Sequence, residues 1–572
     1  MTDLIPDSIS ARHPIAGPNG QLAHPDAVDH LSRLQPAFYT IGEHAWCLVG
    51  NGLSNQSFVE GPEGIIAIDS GESVEEMRAA LLQLRKHTDK PVVACIYTHF
   101  HYIGGTTAIM EEAGNQDLQI YGHAGIADNL TRFGGEVAPR SGRGLVYQFG
   151  MMLPNEGEDG LLHGGLGIHF RNPEHAPYTN GYVPARHTFD QPTTYQIAGL
   201  TVEMMPAPSD ATDNVTIWFP QLNVCVNNLI WPSLFNIYAV RGEEYRDPRI
   251  LLKGIDQIYD LMPEHLIGAH GPPLSGPEIG PAVLDYRDAI QYLWDQTVRC
   301  LNKGMLLDDI TQAVQLPEHF NRSYFTRQFY GLAEHHIRQI HGGLFGWLDE
   351  DESHLFPLPG RARCAKLISG FGGEDAVRLQ VDQALAEQEW RWAAELASWL
   401  TRVESATPDD RHRLADALRG FAQHTTSANI RNYCLTRALE LEGSIDLERF
   451  RAHRFRYDEV LSAAPPRFVA VMRVLLVPEQ AADLEAELIW QFSTGERAGL
   501  KIRNQVAIPT TGASSQNDNA LVITLSPETW ARLLSAKLTF SAAEAEGIVS
   551  TSGDLAQIKR FLASFDHPTL GR

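Results

Sequence analysis

Two histidines one residue apart, His99 and His101 in YTHFHYIGG (Tyr97–Gly105), are the first residues here whose types and spacing could do chemistry. Imidazole nitrogens are ligands for zinc and iron, and two of them can hold one cation between them. Alternate residues of a β-strand share a face, so a His-x-His pair leaving a strand end is expected to project both rings to one side. Histidines facing solvent or packed in a core are the commoner outcome of such spacing. The surroundings favour a ligand pair, because PVVACIYTH reads as a buried strand delivering its polar end to a loop, and Gly104 and Gly105 open the next element.

The elements that must position this pair read as an α/β arrangement. AWCLVG, QSFVEG and GIIAIDSG are short, apolar, partly β-branched and closed by glycine, as strands are. SVEEMRAALLQLRKHT begins with a serine cap and carries Met77, Leu81 and Leu84 on helical spacing. Strand, helix, strand, then histidines at a strand's C-terminal edge is where open sheets build sites. Between Phe133 and Asn180 the chain is rich in Gly, Pro, Arg and His, and PNEGEDGLLHGGLGIHF is expected to be irregular, either a substrate loop or a surface insertion.

After about Pro281 the pattern turns helical, with AVLDYRDAIQYLWDQTVRCLNKG, LDDITQAVQ and FTRQFYGLAEHHIRQIHGG. AVRLQVDQALAEQEWRWAAELASWLTR and DDRHRLADALRGFAQHT then read as paired amphipathic helices. Near Ile445 it changes again, and RFVAVMRVLLVP, AELIWQFSTGE, GLKIRNQVAIPT and ALVITLSPETWARLLS read as strands with turns and one helix. The chain thus divides into an α/β domain carrying the histidines at 1–300, a helical domain at 301–440 and a small α+β domain at 441–572.

With 46 Lys plus Arg against 70 Asp plus Glu in 572 residues, the formal charge is −24 with no basic block, which argues against nucleic acid as a partner. No stretch reaches the roughly 18 uninterrupted apolar residues of a membrane span, and the first residues show no basic region followed by an apolar run. A cytoplasmic location is the expectation. Six scattered cysteines without CxxC spacing read as reduced and structural.

The ordered run IAIDSG, YTHFHYIGG, NIYAVRGEEYRD, GAHGPP, DQTVRCLNKG, YGLAEHH and FGWLDEDESHLFPLPG resembles the alkyl sulfatases of the metallo-β-lactamase superfamily. The resemblance runs from about Ala45 to the C-terminus. It implies a metallo-β-lactamase fold (an αββα sandwich), then an all-α dimerisation domain and an α+β module similar to sterol carrier protein type two, which FSTGERAGLKIRN and GDLAQIKRFLASFD resemble. A homodimer and a small amphiphilic substrate are implied as partners.

The departures from that family matter as much. Its loop reads T-H-x-H-x-D-H-x-G-G and supports two zinc ions. Here Thr98, His99 and His101 match, but the Asp-His is absent and the loop is two residues shorter. The family's E-A-P-x-E corresponds to DATDN, which puts Asp210 at the first-metal carboxylate, with Asp213 three residues away as the other candidate, and Asn214 at the second carboxylate. The bridging carboxylate corresponds to Asn228, and the late histidine to His270. Three of four second-metal positions are changed, while His99, His101 and Asp210 are intact in type. One divalent ion, Zn or Fe(II), is therefore expected, because losing anionic ligands leaves a second ion without charge compensation.

By the same resemblance Arg241 in IYAVRG is the sulfate-gripping arginine, a role that suits the guanidinium fork. Tyr330 and His335 match family pocket residues, His336 stands where an Asn is expected, and Arg143 matches one of an arginine pair whose partner is Gly144. Tyr102 is inserted where the lost ligands were, placed to line the pocket or to hydrogen-bond a metal-bound species. Three readings follow. The first is hydrolysis of an alkyl sulfate or related ester, with the metal lowering the pKa of its water toward ~7, Arg241 neutralising the leaving group, and His335 or Tyr330 moving a proton. The second is a mononuclear Fe(II) enzyme using dioxygen, since two histidines and a carboxylate form a facial triad. The third is a binder of amphiphiles without chemistry.

Overall fold

The computed structural model describes residues 12–114, 117–133, 135–512 and 521–571. Two compact units are present, one comprising the chain up to Asn129 with Arg143–Leu447, the other Leu130–Gly142 with Glu448 onward.

In the first unit two sheets face one another. A seven-stranded sheet runs in sequence order from Ala37–Ile41 through Ala45–Val49, Gln56–Gly61, Gly64–Ile68, Val92–Ile96 and Gln119–His123 to His187–Phe189. Its first four strands pair antiparallel, and the next three are added in parallel. A six-stranded sheet runs from Thr193–Ile197 through Leu200–Pro206, Val215–Phe219, Val224–Asn227 and His265–Gly268 to Leu274–Ser275. Val59, Ile66 and Ile96 of one sheet pack with Val202, Ile217, Val226 and Ile267 of the other, forming the inner core. Helices Val74–Leu84 and Thr106–Ala113 pack on the first sheet, while Pro248–Leu261 and Ile279–Leu301 bury Ile255, Ile258 and Ile290 with Leu266 on the second. This is the αββα sandwich of the metallo-β-lactamase fold.

The serine-capped helix forms as expected, with the Ser73 hydroxyl accepting from the Glu76 amide, which supplies a partner to one of the orphan N–H groups of a first turn. The run from Ala376 to Arg402 holds two helices, Glu374–Ala386 and Trp390–Leu400, because the chain reverses at Gln388, whose φ is 62°. Residues 154–170 are irregular, as expected, and tied down throughout: Arg431 donates to Gly160 O, Asn432 to His163 O and Gln21 to Leu161 O. Leu293 and Ile337, on either side of residue 300, share one core with Trp231.

The second unit is α+β, with a five-stranded sheet built on Ala486–Phe492 and Leu521–Leu525, which pair in parallel. Arg497–Arg503 and Val506–Thr510 form a hairpin whose two linking residues, Asn504 and Gln505, both have positive φ. RFVAVMRVLLVP is not a strand. It belongs to helix Pro465–Val471 and a following 3-10 turn, Met472–Leu475. Interrupted only by Arg473, the apolar run carries no clear period, and Pro465 at the first helical position favours a helix start.

His163 is fully buried and uses both ring nitrogens: Nε2–H donates to Ala27 O at 2.9 Å, and Nδ1 accepts from the Gly165 amide at 3.1 Å. Burial lowers its pKa to about 4. The unfolded chain binds this proton near pH 6.5 and the folded chain only below about 4, so acidification through that window favours unfolding. Urea titrations at pH 7.5 and pH 4 are expected to show His163→Gln losing roughly 3 kcal/mol less on acidification than the parent. Equal losses contradict this account.

Candidate metal centre

The strand Val92–Ile96 ends before the histidines, so the pleat does not align them. They lie in the following turn, and their convergence comes from how that turn is anchored. Ser70 N donates to Tyr102 O at 2.8 Å and Gly104 N to Gly71 O at 2.9 Å. A Cβ on Gly105 would run into Ser70 O, which explains the glycine. Facing them is the loop after strand Leu200–Pro206, closed by Ala207 N to Asn214 O at 2.8 Å and tied across by Val215 N to Thr98 O at 3.0 Å.

This brings His99, His101 and Asp210 together, with one ligand atom from each within 4.8 Å of the others. His99 Nε2 lies 3.7 Å from Asp210 Oδ1, and His101 Nδ1 lies 3.2 Å from Asp210 Oδ2. Donor atoms ~2.1 Å from a tetrahedral ion stand ~3.4 Å apart, so these spacings fit one divalent cation. His101 Nδ1 is buried without a hydrogen-bond partner, as expected of a nitrogen aimed at a cation. Asp210 is the aspartate that faces the histidines, whereas Asp213 turns away to accept from Asn129 Nδ2 at 2.7 Å, and burial raises its pKa to about 6.

The electrostatics agree with a cation site. Burial pushes the Asp210 carboxyl up, but the facing imidazoles outweigh it and hold the group well below the usual carboxylate range. Burial lowers His99 to about 3, leaving a neutral imidazole. Burial and the Arg241 charge also push His101 down, yet Asp210 and Glu243 prevail and hold it above its ordinary value.

A relay fixes which nitrogen of His99 faces Asp210. The Thr98 hydroxyl donates to Asp69 Oδ2 at 2.6 Å, so it accepts from His99 Nδ1–H at 2.8 Å and leaves Nε2 unprotonated, 3.4 Å from Asn228 Nδ2. Asp69 also accepts from Thr98 N at 2.8 Å and has a φ of 58°. Asn228 serves the carboxylate, donating to Asp210 Oδ1 at 2.7 Å while its own oxygen accepts from Trp231 Nε1 at 2.8 Å. Asn214 donates to Ala207 O at 2.7 Å, holding the loop, and its oxygen is unpartnered.

His270 is engaged differently. Its Nδ1–H donates to Leu53 O at 2.9 Å, so Nε2 accepts the Tyr102 phenol at 3.2 Å. Both nitrogens are satisfied by protein groups.

Arg241 reaches the centre, with Nη1 and Nη2 each 3.1 Å from His101 Nε2, and its amide donates to Gln148 Oε1 at 3.1 Å. Gln148 Nε2 donates to the Tyr330 hydroxyl at 2.8 Å, so Tyr330 joins the group through Gln148. Arg143 is half-buried on helix Ala138–Phe149. His335, on helix Ala333–Phe345, lines a mostly apolar cavity of about 240 Å³ with Leu332, Phe421 and Ile430. Reasoning from sequence missed Asp69, Gln148 and Glu243. IAIDSG signalled the first, and nothing local signals the other two.

Family models for alkyl sulfatase dimerisation and for the alkyl sulfatase C-terminal region match residues 307–444 and 457–570. A linear primary-alkylsulfatase of Pseudomonas sp. is 32% identical over 524 residues, covering 89% of this chain and 98% of that protein. The chain belongs to the alkyl sulfatase family. An (R)-specific secondary-alkylsulfatase of Pseudomonas sp. is 26% identical, with 90% of this chain and 78% of that protein covered. The solved stereoselective inverting sec-alkylsulfatase Pisa1 from Pseudomonas sp. shares the fold, with a TM-score of 0.85 at 23% identity over 99% of this chain and 93% of that one. Membership makes the chain a metal-dependent hydrolase.

Removing the relay should loosen the metal without removing a ligand. Thr98→Val is expected to weaken Zn(II) binding by about 10–100-fold, read by competition with a chromophoric chelator. Affinity equal to that of the parent contradicts the role given to Thr98.

Proposed function

We propose that this chain hydrolyses alkyl sulfates with a single divalent cation, zinc, held by His99 Nε2, His101 Nδ1 and Asp210. The observation carrying the single ion is the Tyr102 hydroxyl seated 3.2 Å from His270 Nε2. By resemblance this phenol replaces the family's second-metal ligands, and burial pushes it well above its ordinary pKa, so it stays a neutral donor. Asn214 and Asn228 add no charge to balance a second ion.

When bound, the ion supplies Lewis acidity beside the ester. The chain's own groups do the rest. Arg241 presents two donors to the sulfate oxygens and offsets charge developing on the leaving sulfate. Burial holds Tyr330 at about 12, so its hydroxyl is neutral, and with Gln148 donating to its oxygen the hydrogen is left for substrate. The apolar cavity beside His335 suits an aliphatic tail. The oxygen-using reading rests on ligand count alone, and no other feature favours it.

A homodimer belongs to the same reading, supported by the dimerisation match and by exposed Phe345, Trp347, Leu355 and Phe356 on one segment. No described helix is long and apolar enough to cross a membrane. Six free, buried cysteines fit a reducing compartment, and we assign the cytoplasm.

Inorganic sulfate release from dodecyl sulfate tests the reading. The zinc-loaded protein is expected to turn over, and Arg241→Ala to lose about 10²–10³-fold in kcat, the scale of removing an oxyanion donor. No sulfate release from alkyl sulfates of any chain length refutes it.

A further inference from the structure

Glu243 lies outside the ligand set, yet its carboxylate is aimed at the centre and only 3% of it is exposed. The chain turns at Gly242, whose φ is 86° and whose amide donates to Ala239 O, so the residues on either side both reach His101. Glu243 Oε1 stands 2.5 Å from Arg241 Nη2 and 3.5 Å from His101 Nε2. That oxygen is buried and has no hydrogen-bond donor of good geometry, and the Arg241 Nε is unpartnered as well. Two different groups therefore contend for His101 Nε2: the arginine, which can only donate to it, and the glutamate, which can only accept from it.

A neutral imidazole carries one proton. With Arg241 donating to Nε2, that proton sits on Nδ1, the wrong nitrogen for a cation ligand. A cation at Nδ1 requires the proton on Nε2, where an arginine N–H can no longer be received. Glu243 Oε1 is the carboxylate oxygen beside it. Resting on the metal site proposed above, we propose that Glu243 is a positioning residue: when the cation takes Nδ1, the ring's single proton passes through solvent from Nδ1 to Nε2, Glu243 accepts a hydrogen bond from that Nε2–H, and the Arg241 donors are released from His101 to meet the substrate oxyanion. The ion pair at 2.5 Å keeps the freed guanidinium next to the centre. Metal binding and sulfate binding are thus coupled through one carboxylate.

The isosteric Glu243→Gln variant separates this from a structural role, using zinc alone and inorganic sulfate alone as probes of the full-length apo protein. Loss of the carboxylate is expected to weaken zinc by about 10–100-fold. It is also expected to tighten sulfate by about threefold or more, since Arg241 loses its internal counter-charge. Opposite shifts are the signature, because a damaged pocket weakens both. A zinc affinity changed by less than about fivefold overturns the proposal, as does a sulfate affinity that falls or stays level. If the glutamine variant is recovered unfolded by circular dichroism, Glu243→Asp carries the same zinc prediction, since the shortened arm cannot span 3.5 Å to His101. A parent protein that binds no zinc refutes both this and the proposed function, whereas a zinc-binding parent with an unaffected glutamine variant refutes this alone.

Discussion

A buried imidazole can offer a lone pair to a cation only if its other nitrogen has somewhere to put a proton, and that constraint organises the surroundings of both histidines. For His99 the answer is Thr98, whose hydroxyl is itself committed to Asp69. Asp69 reaches that position from a left-handed backbone conformation right after strand Gly64–Ile68. Strain at one residue is thus exchanged for a defined tautomer at another. The anchoring of the histidine turn on Ser70 and Gly71 belongs to the same short segment, so IAIDSG both holds the loop and sets its protons.

Charge sets the second condition. Asp210 is the single anion shared by both histidines, and its placement takes an amide from Asn228, which is in turn held by Trp231. The Asn228 amide organises that carboxylate, and the Asn214 amide holds the loop that carries it. The phenol of Tyr102 satisfies His270 without charge. A site of this kind offers one divalent ion two imidazoles and one carboxylate, with Glu243 and Arg241 close by as a nearly neutral pair.

Much of the scaffold was legible in the residues. Glycine-closed apolar runs became strands, Ser73 capped its helix, and the ordered motifs identified the family. Periodicity failed where none was clear: RFVAVMRVLLVP is apolar after Arg467 except for Arg473, and Pro465 rather than alternation marks the helix start. It failed again at Gln388, since a left-handed break inside a continuous amphipathic run needs no glycine. At the site, the histidine pair was visible from spacing, but its alignment was attributed to a pleat that ends at Ile96. Asp210 and Asp213 are indistinguishable in one dimension and opposite in three, because loop closure by Asn214 sends only the first toward the histidines. Glu243, two residues beyond an arginine and next to another glutamate, reads as surface charge until the turn at Gly242 buries it.

X-ray diffraction at the zinc absorption edge, on crystals of the zinc-loaded protein, addresses the central claim most directly. A single anomalous peak about 2 Å from His99 Nε2, His101 Nδ1 and Asp210, with the Tyr102 hydroxyl still on His270, is the predicted result. A second peak beside His270, or an ion held by groups other than those three, contradicts it.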